Sequence, residues 1–174
     1  MKWLLIVMGS LAGLFALMAL IGVFVPREHR ATSTVTLRQP AESVWKVVRD
    51  FGSSPTWWPD VKIVERLPDR GGREVWRQKL SGFDVPIIVL ESAPPRKLVT
   101  QIDPNAGGAF GGTWTYELTP DSSGTRIAVT ETGWISNPIF RFMSRFILGY
   151  YGSLDNYLKA LGRRFGDTVA PTHG

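Results

Sequence analysis

The sequence predicts an α+β fold: a seven-stranded antiparallel sheet wrapped around a long C-terminal helix, with two short helices after the first strand and one transmembrane helix ahead of the domain. Three observations predict it. An uncharged apolar run opens the chain, short strand patterns separated by tight turns fill its middle, and apolar residues at helical spacing occupy its end. Strands that follow one another through tight turns pair as neighbours, so the sheet is expected to be an antiparallel meander.

The first 26 residues are predicted to form a membrane anchor. Residues 3–25 carry no charge, and as a helix they would extend roughly 35 Å, enough to cross a hydrocarbon core of about 30 Å. Trp3 suits one interface, and Arg27 begins a polar linker over residues 27–30. A cleavable signal peptide is the alternative, although its apolar region is usually shorter and Val25-Pro26 is a poor cleavage site.

The predicted location is therefore a membrane that the chain crosses once. The side that the domain faces stays open, because Lys2 and the arginines after the anchor favour opposite orientations. Gly9 and Gly13 have the spacing that lets two membrane helices approach closely, so a transmembrane dimer is one possible assembly. Small residues are also common in membrane helices that do not associate.

The domain is predicted over residues 31–166 and is followed by a disordered tail over residues 167–174. A strand over residues 30–38 precedes a helix over residues 41–50 and a second short helix that begins near Pro55. Turn residues then separate six further strands, at 61–67, 74–80, 83–91, 98–102, 112–118 and 126–132.

The C-terminal helix is predicted over residues 137–165. Asn137 can cap its free backbone N–H groups, and Pro138 suits the first helical position, where its missing N–H needs no partner. Apolar residues then recur in steps of three and four, at Ile139, Phe142, Met143, Phe146, Ile147, Tyr150, Leu154, Leu158 and Leu161. These steps put them all on one stripe of a helix roughly 40 Å long, which needs a broad sheet to lie on.

Composition excludes several classes of function. The chain has no cysteine, which removes disulfides, thiolate zinc sites, iron–sulfur clusters and cysteine nucleophiles. Its net charge of +5 is compatible with a solvated basic surface or with attraction to anionic lipid headgroups. The basic residues are scattered and no nucleic-acid motif is present, so nucleic acid is not expected as a partner. No cofactor and no metal are expected.

The order of these elements resembles the START-like, or helix-grip (SRPBCC), superfamily, and within it the polyketide cyclase/dehydrase and lipid-transport family. The resemblance covers residues 31–165 and is carried by Pro40-Ala41-Glu42-x-Val44-Trp45, Trp58-Pro59-x-Val61, Gly112-Thr113-Trp114-x-Tyr116-x-Leu118, Gly124-Thr125-Arg126 and Asn137-Pro138. It implies a seven-stranded sheet gripping the last helix, with an apolar cavity between them. It implies no single reaction, because the family includes both carriers and cyclases.

A catalytic constellation is not visible in the sequence. The two histidines, His29 and His173, lie beside the membrane segment and in the tail, and both are expected outside the domain core. That expectation removes Ser-His-Asp triads, HExxH zinc sites and a histidine acid–base pair in the cavity. The remaining catalytic candidate is Glu131, which shares a strand face with Ile127 and Val129. It would be a general acid or a polar anchor for a ligand if that face points inward; otherwise it pairs with Arg141 or Arg145, or lies exposed.

Aromatic residues are the stronger signal. The candidate ligand-binding residues are Trp76, Trp114, Tyr116, Phe142, Phe146 and Tyr150, because apolar pockets are lined mainly by such side chains with few polar groups. Core packing is the alternative role for each of them. Gln78 shares a strand face with Trp76 and is either a polar group of the same pocket or a surface residue.

Three functions remain open. The first is a membrane-tethered domain that binds a lipid-like or other hydrophobic small molecule. The second is a protein-interaction or stress-related module with an incidental cavity. The third is an enzyme of the cyclase or dehydratase type that uses Glu131 and a tyrosine. Ligand retention, a specific protein partner and turnover, respectively, distinguish them.

Overall fold

A computed structural model of the chain describes residues 2–80 and 82–174. In chain order, its elements are α1 (Lys2–Phe24), β1 (Glu28–Leu37), α2 (Ala41–Arg49), β2 (Val61–Arg70), β3 (Arg73–Leu80), β4 (Phe83–Ala93), β5 (Lys97–Ile102), β6 (Phe110–Asp121), β7 (Gly124–Ile135), α3 (Pro138–Met143), α4 (Gly152–Arg164) and β8 (Thr172–His173). Short 3₁₀ helices follow α2 at Phe51–Thr56 and β5 at Pro104–Ala106, and a π-helical turn follows α3 at Ser144–Leu148.

The strands form one antiparallel sheet in the order β2-β3-β4-β5-β6-β7-β1-β8. Neighbours in sequence are neighbours in space from β2 to β7, and β1 pairs with β7 in a register that matches Ala31 with Glu131. The predicted antiparallel meander and the two short helices after the first strand are therefore confirmed. The core lies between this sheet and the helices α2 and α4.

The sheet has eight strands in the described residues, one more than predicted, because the C-terminal tail folds back onto the domain. Ser33 of β1 pairs with His173 of β8. The Arg38 backbone N–H and Nε donate to the Asp167 carboxylate at 3.0 and 2.9 Å, and these bonds lower the pKa of Asp167. The polar composition of residues 167–174 predicted disorder; in the structure, polar groups of this tail find partners on β1 and α4.

The predicted C-terminal helix is present but interrupted. The Asn137 side chain caps it as expected, since its Oδ1 accepts the N–H groups of Ile139 at 2.9 Å and Phe140 at 3.2 Å. The prediction of one helix over residues 137–165 is wrong, because the chain turns at Gly149, with φ 74° and ψ 174°. Only glycine adopts this conformation without strain. Apolar spacing does not reveal the break, since Gly149 falls between residues that keep the helical period.

The two halves consequently have different surroundings. On α4 the predicted stripe is confirmed, because Leu154, Leu158 and Leu161 are fully buried against the sheet. On the π turn, Phe146 and Ile147 are each 60% exposed.

Helix α1 is long and apolar enough to cross a membrane, although a signal sequence would have the same character. Its last two turns, with Val25 directly after them, pack against the domain through a stripe of partly or fully buried residues: Met18, Ala19, Gly22 and Val25. A side chain at Gly22 would lie 1.9 Å from the Pro138 carbonyl oxygen, so only glycine allows this approach. Arg141 Nη1 closes the contact by donating to the Val25 carbonyl oxygen at 3.0 Å.

Candidate functional site

An apolar cavity of about 210 Å³ lies inside the sheet. We call it the inner cavity. Strands β3 to β6 supply most of its wall, with Trp58 at one side. Its main apolar residues are Leu80, Phe83, Val85, Ile87, Ile102 and Phe110, and its polar residues include Gln78, Thr100, Glu131 and Ser153. Gln78 is 7% exposed, so of its two predicted placements the inward one is confirmed.

A second cavity of about 440 Å³ lies beside the first and nearer to α3. We call it the outer cavity. It is lined by residues from β1, β6, β7 and the interrupted helix, among them His29, Trp134, Phe140 and Tyr150. Both cavities are bordered by Phe83, Phe110, Glu131 and Ser153. The Glu131 carboxyl therefore lies where the two cavities meet.

Packed aromatic rings close the inner cavity towards the core. Tyr157 of α4 makes edge contacts with Trp58, Trp114 and Tyr116, with ring centroids 4.9, 5.8 and 5.6 Å away. Burial raises the pKa of Tyr116, and the Glu131 carboxylate raises it further, although a hydrogen bond with Thr100 acts in the opposite sense. Burial also raises the pKa of Tyr157. Both phenols therefore stay protonated at physiological pH.

Glu131 is the centre of a polar cluster. One carboxylate oxygen, Oε1, lies 3.2 Å from His29 Nε2. The other oxygen, Oε2, accepts the Trp114 indole N–H at 3.1 Å and a longer contact from Ser153 Oγ at 3.4 Å. The Glu131 side chain is 23% exposed and that of His29 is 10% exposed. A carboxyl group with three hydrogen-bonding partners at the border of two apolar cavities can bind a polar group of a ligand or exchange a proton.

The position of His29 corrects the sequence analysis. His29 was expected outside the domain core, which excluded a histidine acid–base pair in the cavity. Strand β1 instead begins at Glu28, so His29 lies within the sheet opposite Gly133. A side chain at Gly133 would lie 2.7 Å from His29 Cε1, so this glycine leaves room for the imidazole beside Glu131. Tyr150 stacks on the imidazole ring, with ring centroids 4.4 Å apart.

The alternative pairing of Glu131 with Arg141 is wrong. Arg141 is 6% exposed and points away to α1, where it binds the Val25 carbonyl. Its backbone position, one turn after Asn137, directs it to the end of α1. The predicted helix was placed on the sheet, and the sequence gives no signal that Arg141 contacts Val25, 116 positions away.

The candidate ligand-binding residues fall into two groups. Trp114 and Tyr116 line the inner cavity, and Tyr150 lines the outer one. Trp76 instead packs beside Phe51, 5.7 Å between ring centroids, and its indole donates to Glu74 at 2.6 Å. Phe142 and Phe146 contact each other at 5.1 Å on α3 and the π turn. These three residues are not among those that border either cavity.

Several cavity residues were not identified from the sequence. The main ones are His29, Phe83, Ile102 and Ser153. Phe83 begins β4 directly after a glycine-containing turn, and a large apolar residue at such a strand end is a signal that sequence analysis can use. Ser153 and His29 carry no such signal, because their neighbours in the cavity come from distant parts of the chain. In residues 2–80 and 82–174 no three His, Asp or Glu side chains are grouped as a metal site.

A curved antiparallel sheet that grips a C-terminal helix over an apolar cavity defines a START-like protein. Residues 28–164 match the family model described as polyketide cyclase / dehydrase and lipid transport. The chain belongs to this family. No curated protein matches the chain significantly.

Similar solved structures have the same fold. A START superfamily protein from Mycobacterium smegmatis is 21% identical, with a TM-score of 0.63, over 79% of this chain and 97% of that one. A protein from Thermus thermophilus is 22% identical, with a TM-score of 0.62, over 79% and 96%. The Zhui aromatase/cyclase from Streptomyces sp. R1128 is 16% identical, with a TM-score of 0.58, over 78% and 93%. At these identities, the similarity establishes the fold alone.

Proposed function

We propose that this protein binds a hydrophobic small molecule that carries one hydrogen-bonding group. The observation that carries the proposal is the apolar cavity pair with its polar groups concentrated at Glu131. Ligand pockets are typically about 300–1,000 Å³, mostly apolar, with a few polar groups that fix the orientation of the ligand. The inner cavity would take the apolar body, and Glu131 would accept a hydrogen bond from the polar group.

The ligand class follows from the lining. Apolar atoms of Leu80, Val85 and Ile87 offer only dispersion contacts and burial, which suit an alkyl chain or a ring system. A lipid-like amphiphile or an aromatic polyketide fits this description. The family description includes lipid transport, which supports the first of these classes.

We further propose that α1 tethers the binding domain to a membrane as a single-pass anchor. A tether keeps the cavity close to a phase in which hydrophobic ligands concentrate, so it raises the effective ligand concentration. Gly9 and Gly13 have free space around them, and association of two anchors through this pair stays a prediction.

Native mass spectrometry of the full chain, released from detergent, tests the binding function. We expect a discrete added mass, and organic extraction of the same sample should yield an amphiphilic or aromatic compound of that mass. A bare protein mass after expression in several hosts, with no gain on incubation with fatty acids or aromatic polyketides, would contradict the proposal.

Acid–base catalysis is a second candidate function. It is favoured by the contact between His29 and Glu131 and by the family description, which includes cyclase and dehydrase. Glu131 faces both cavities and would exchange the proton with the ligand. His29 would act as a positioning residue, because its Nε2 holds one carboxylate oxygen while Tyr150 holds its ring. The reaction class would be proton transfer during cyclisation or dehydration of a carbonyl compound.

The catalytic candidate predicts that Glu131→Gln lowers turnover of a linear polyketide analogue by about 10²–10⁴-fold, the usual contribution of one acid–base group, while ligand binding persists. His29→Gln should lower turnover less and move its pH profile. The matched control is His173→Gln, which removes the other histidine. His173 contacts Asp155 and lies on β8, which is separated from Glu131 on β7 by β1, so this variant should leave turnover unchanged. Equal turnover by wild type and Glu131→Gln would exclude the catalytic role.

A further inference from the structure

We infer that residues 138–148, which we call the interfacial segment, lie in the membrane surface beside α1, so that the outer cavity opens directly into lipid. This inference rests on the proposed function and adds the route by which the ligand enters. The partner of the surface is the lipid bilayer itself. Three features of the described residues carry the argument: depth, exposure and the position of the cavity mouth.

The depth of the interfacial segment is set by its packing on α1. The contact stripe on α1 begins at Met18, six residues before the helix ends at Phe24. Six residues of α-helix correspond to about 9 Å. If α1 crosses a bilayer, α3, which packs along these two turns, must lie about 5–10 Å inside the surface, the depth at which interfacial helices bind, and the π turn continues directly from α3.

The exposed faces of the segment are apolar. Phe140, Phe146, Ile147 and Leu148 are 59%, 60%, 60% and 66% exposed. Four large apolar side chains so close together on a surface indicate an interaction site. The break at Gly149 keeps Phe146 and Ile147 from following the stripe of α4 into the core. The interruption of the helix thus turns them towards the medium that surrounds α1.

The mouth of the outer cavity lies at the same edge of the domain. At this edge, Glu28 pairs with Trp134, and Phe110 pairs with Ile135. The Arg27 carbonyl accepts the Ile135 N–H at 2.9 Å, so these strand ends lie next to the point where the chain leaves α1. The rim residues Phe83, Phe110, Trp134 and Phe140 border the outer cavity and are each at least 40% exposed. An apolar ligand would therefore pass from the leaflet to Glu131 along aromatic rings, without crossing water.

The lipid bilayer fits this surface better than a second copy of the chain. The exposed apolar residues of the interfacial segment lie beside the exposed apolar side chains of α1. A bilayer that surrounds α1 would therefore contact the segment as well. Arg145 is exposed between Phe140 and Phe146, and its long side chain can reach headgroup phosphates from a shallow position. The turn between β6 and β7 at the opposite edge of the sheet carries Asp121, Ser122 and Ser123, which suit water.

Single-cysteine labelling tests the inference, because the chain contains no cysteine. The full chain with Leu148→Cys carries an environment-sensitive fluorophore and is reconstituted into phosphatidylcholine–phosphatidylglycerol vesicles. Leu14→Cys on α1 is the membrane control, and Ser122→Cys at the opposite sheet edge is the aqueous control. We expect the Leu148 label to emit at shorter wavelength, to lose fluorescence to spin-labelled lipid as the Leu14 label does, and to resist iodide. The Ser122 label should show the reverse.

Quenching of the Leu148 label by iodide to the same extent as the Ser122 label would overturn the inference. A Leu148 label protected from both quenchers, with protection lost on dilution of the protein in lipid, would identify a second copy as the partner and also overturn it. Absence of lipid quenching at Leu14 would overturn it as well. The proposed binding function is tested separately, by native mass spectrometry. A bound ligand mass supports binding whatever the Leu148 label shows. A bare protein mass together with a lipid-quenched Leu148 label contradicts the binding function but not the membrane contact.

Discussion

Ile102→Trp is expected to weaken ligand retention by the full chain by about tenfold or more. Ile102 borders the inner cavity at the end of β5 and is partly buried, so an indole there would occupy space that the ligand requires. Overfilling a packed site costs about 1–3 kcal/mol, and each 1.4 kcal/mol is about tenfold in affinity. We therefore expect binding to weaken by about tenfold or more, measured as the loss of the co-purifying mass in native mass spectrometry.

The matched control is Ile63→Trp. Ile63 on β2 is 48% exposed and does not border either cavity, so the same substitution there should leave the bound mass unchanged. Circular dichroism melting of both variants separates cavity filling from unfolding. Retention of the full ligand mass by a folded Ile102→Trp variant would show that the inner cavity is not the binding site.

Leu158→Ala is expected to cause the largest loss of stability. Leu158 lies at the centre of α4, is fully buried and packs in the core between helix and sheet. Removing buried methyl groups from such a site costs about 2–5 kcal/mol, because transfer free energy and packing are both lost. The free energy of unfolding, from denaturant titration of the full chain in detergent, should fall by this amount.

Ile147→Ala provides the comparison. Ile147 belongs to the same apolar stripe in the sequence, but it is 60% exposed, and we expect a change within about 0.5 kcal/mol in detergent. Equal losses in Leu158→Ala and Ile147→Ala would mean that both residues lie on one continuous helix gripped by the sheet. The pair therefore tests the interruption at Gly149 directly.

The fold was easier to predict than the polar cluster around Glu131, because strand faces follow a local period whereas the position of His29 depends on long-range pairing. Trp114, Tyr116 and Glu131 were placed on strand faces by the period of two, and the structure puts all three at the cavities. His29 was missed because its role depends on a register of β1 with β7 that leaves Gly133 opposite it. No local pattern in the sequence specifies that pairing, since residues 29 and 131 are about a hundred positions apart.

Local sequence was enough to specify the meander of strands, the capped start at Asn137, the buried stripe of α4 and the uncharged opening helix. These features depend on periodicity and on turn and cap chemistry, which neighbouring residues determine. The tertiary structure set where the C-terminal helix breaks, which face of it meets α1, that the tail supplies an eighth strand, and that His29 joins Glu131 at the cavities. The last three depend on contacts between distant residues, and in each a glycine or a charged side chain acts through a partner that the sequence does not place; the break depends on the conformation that Gly149 adopts.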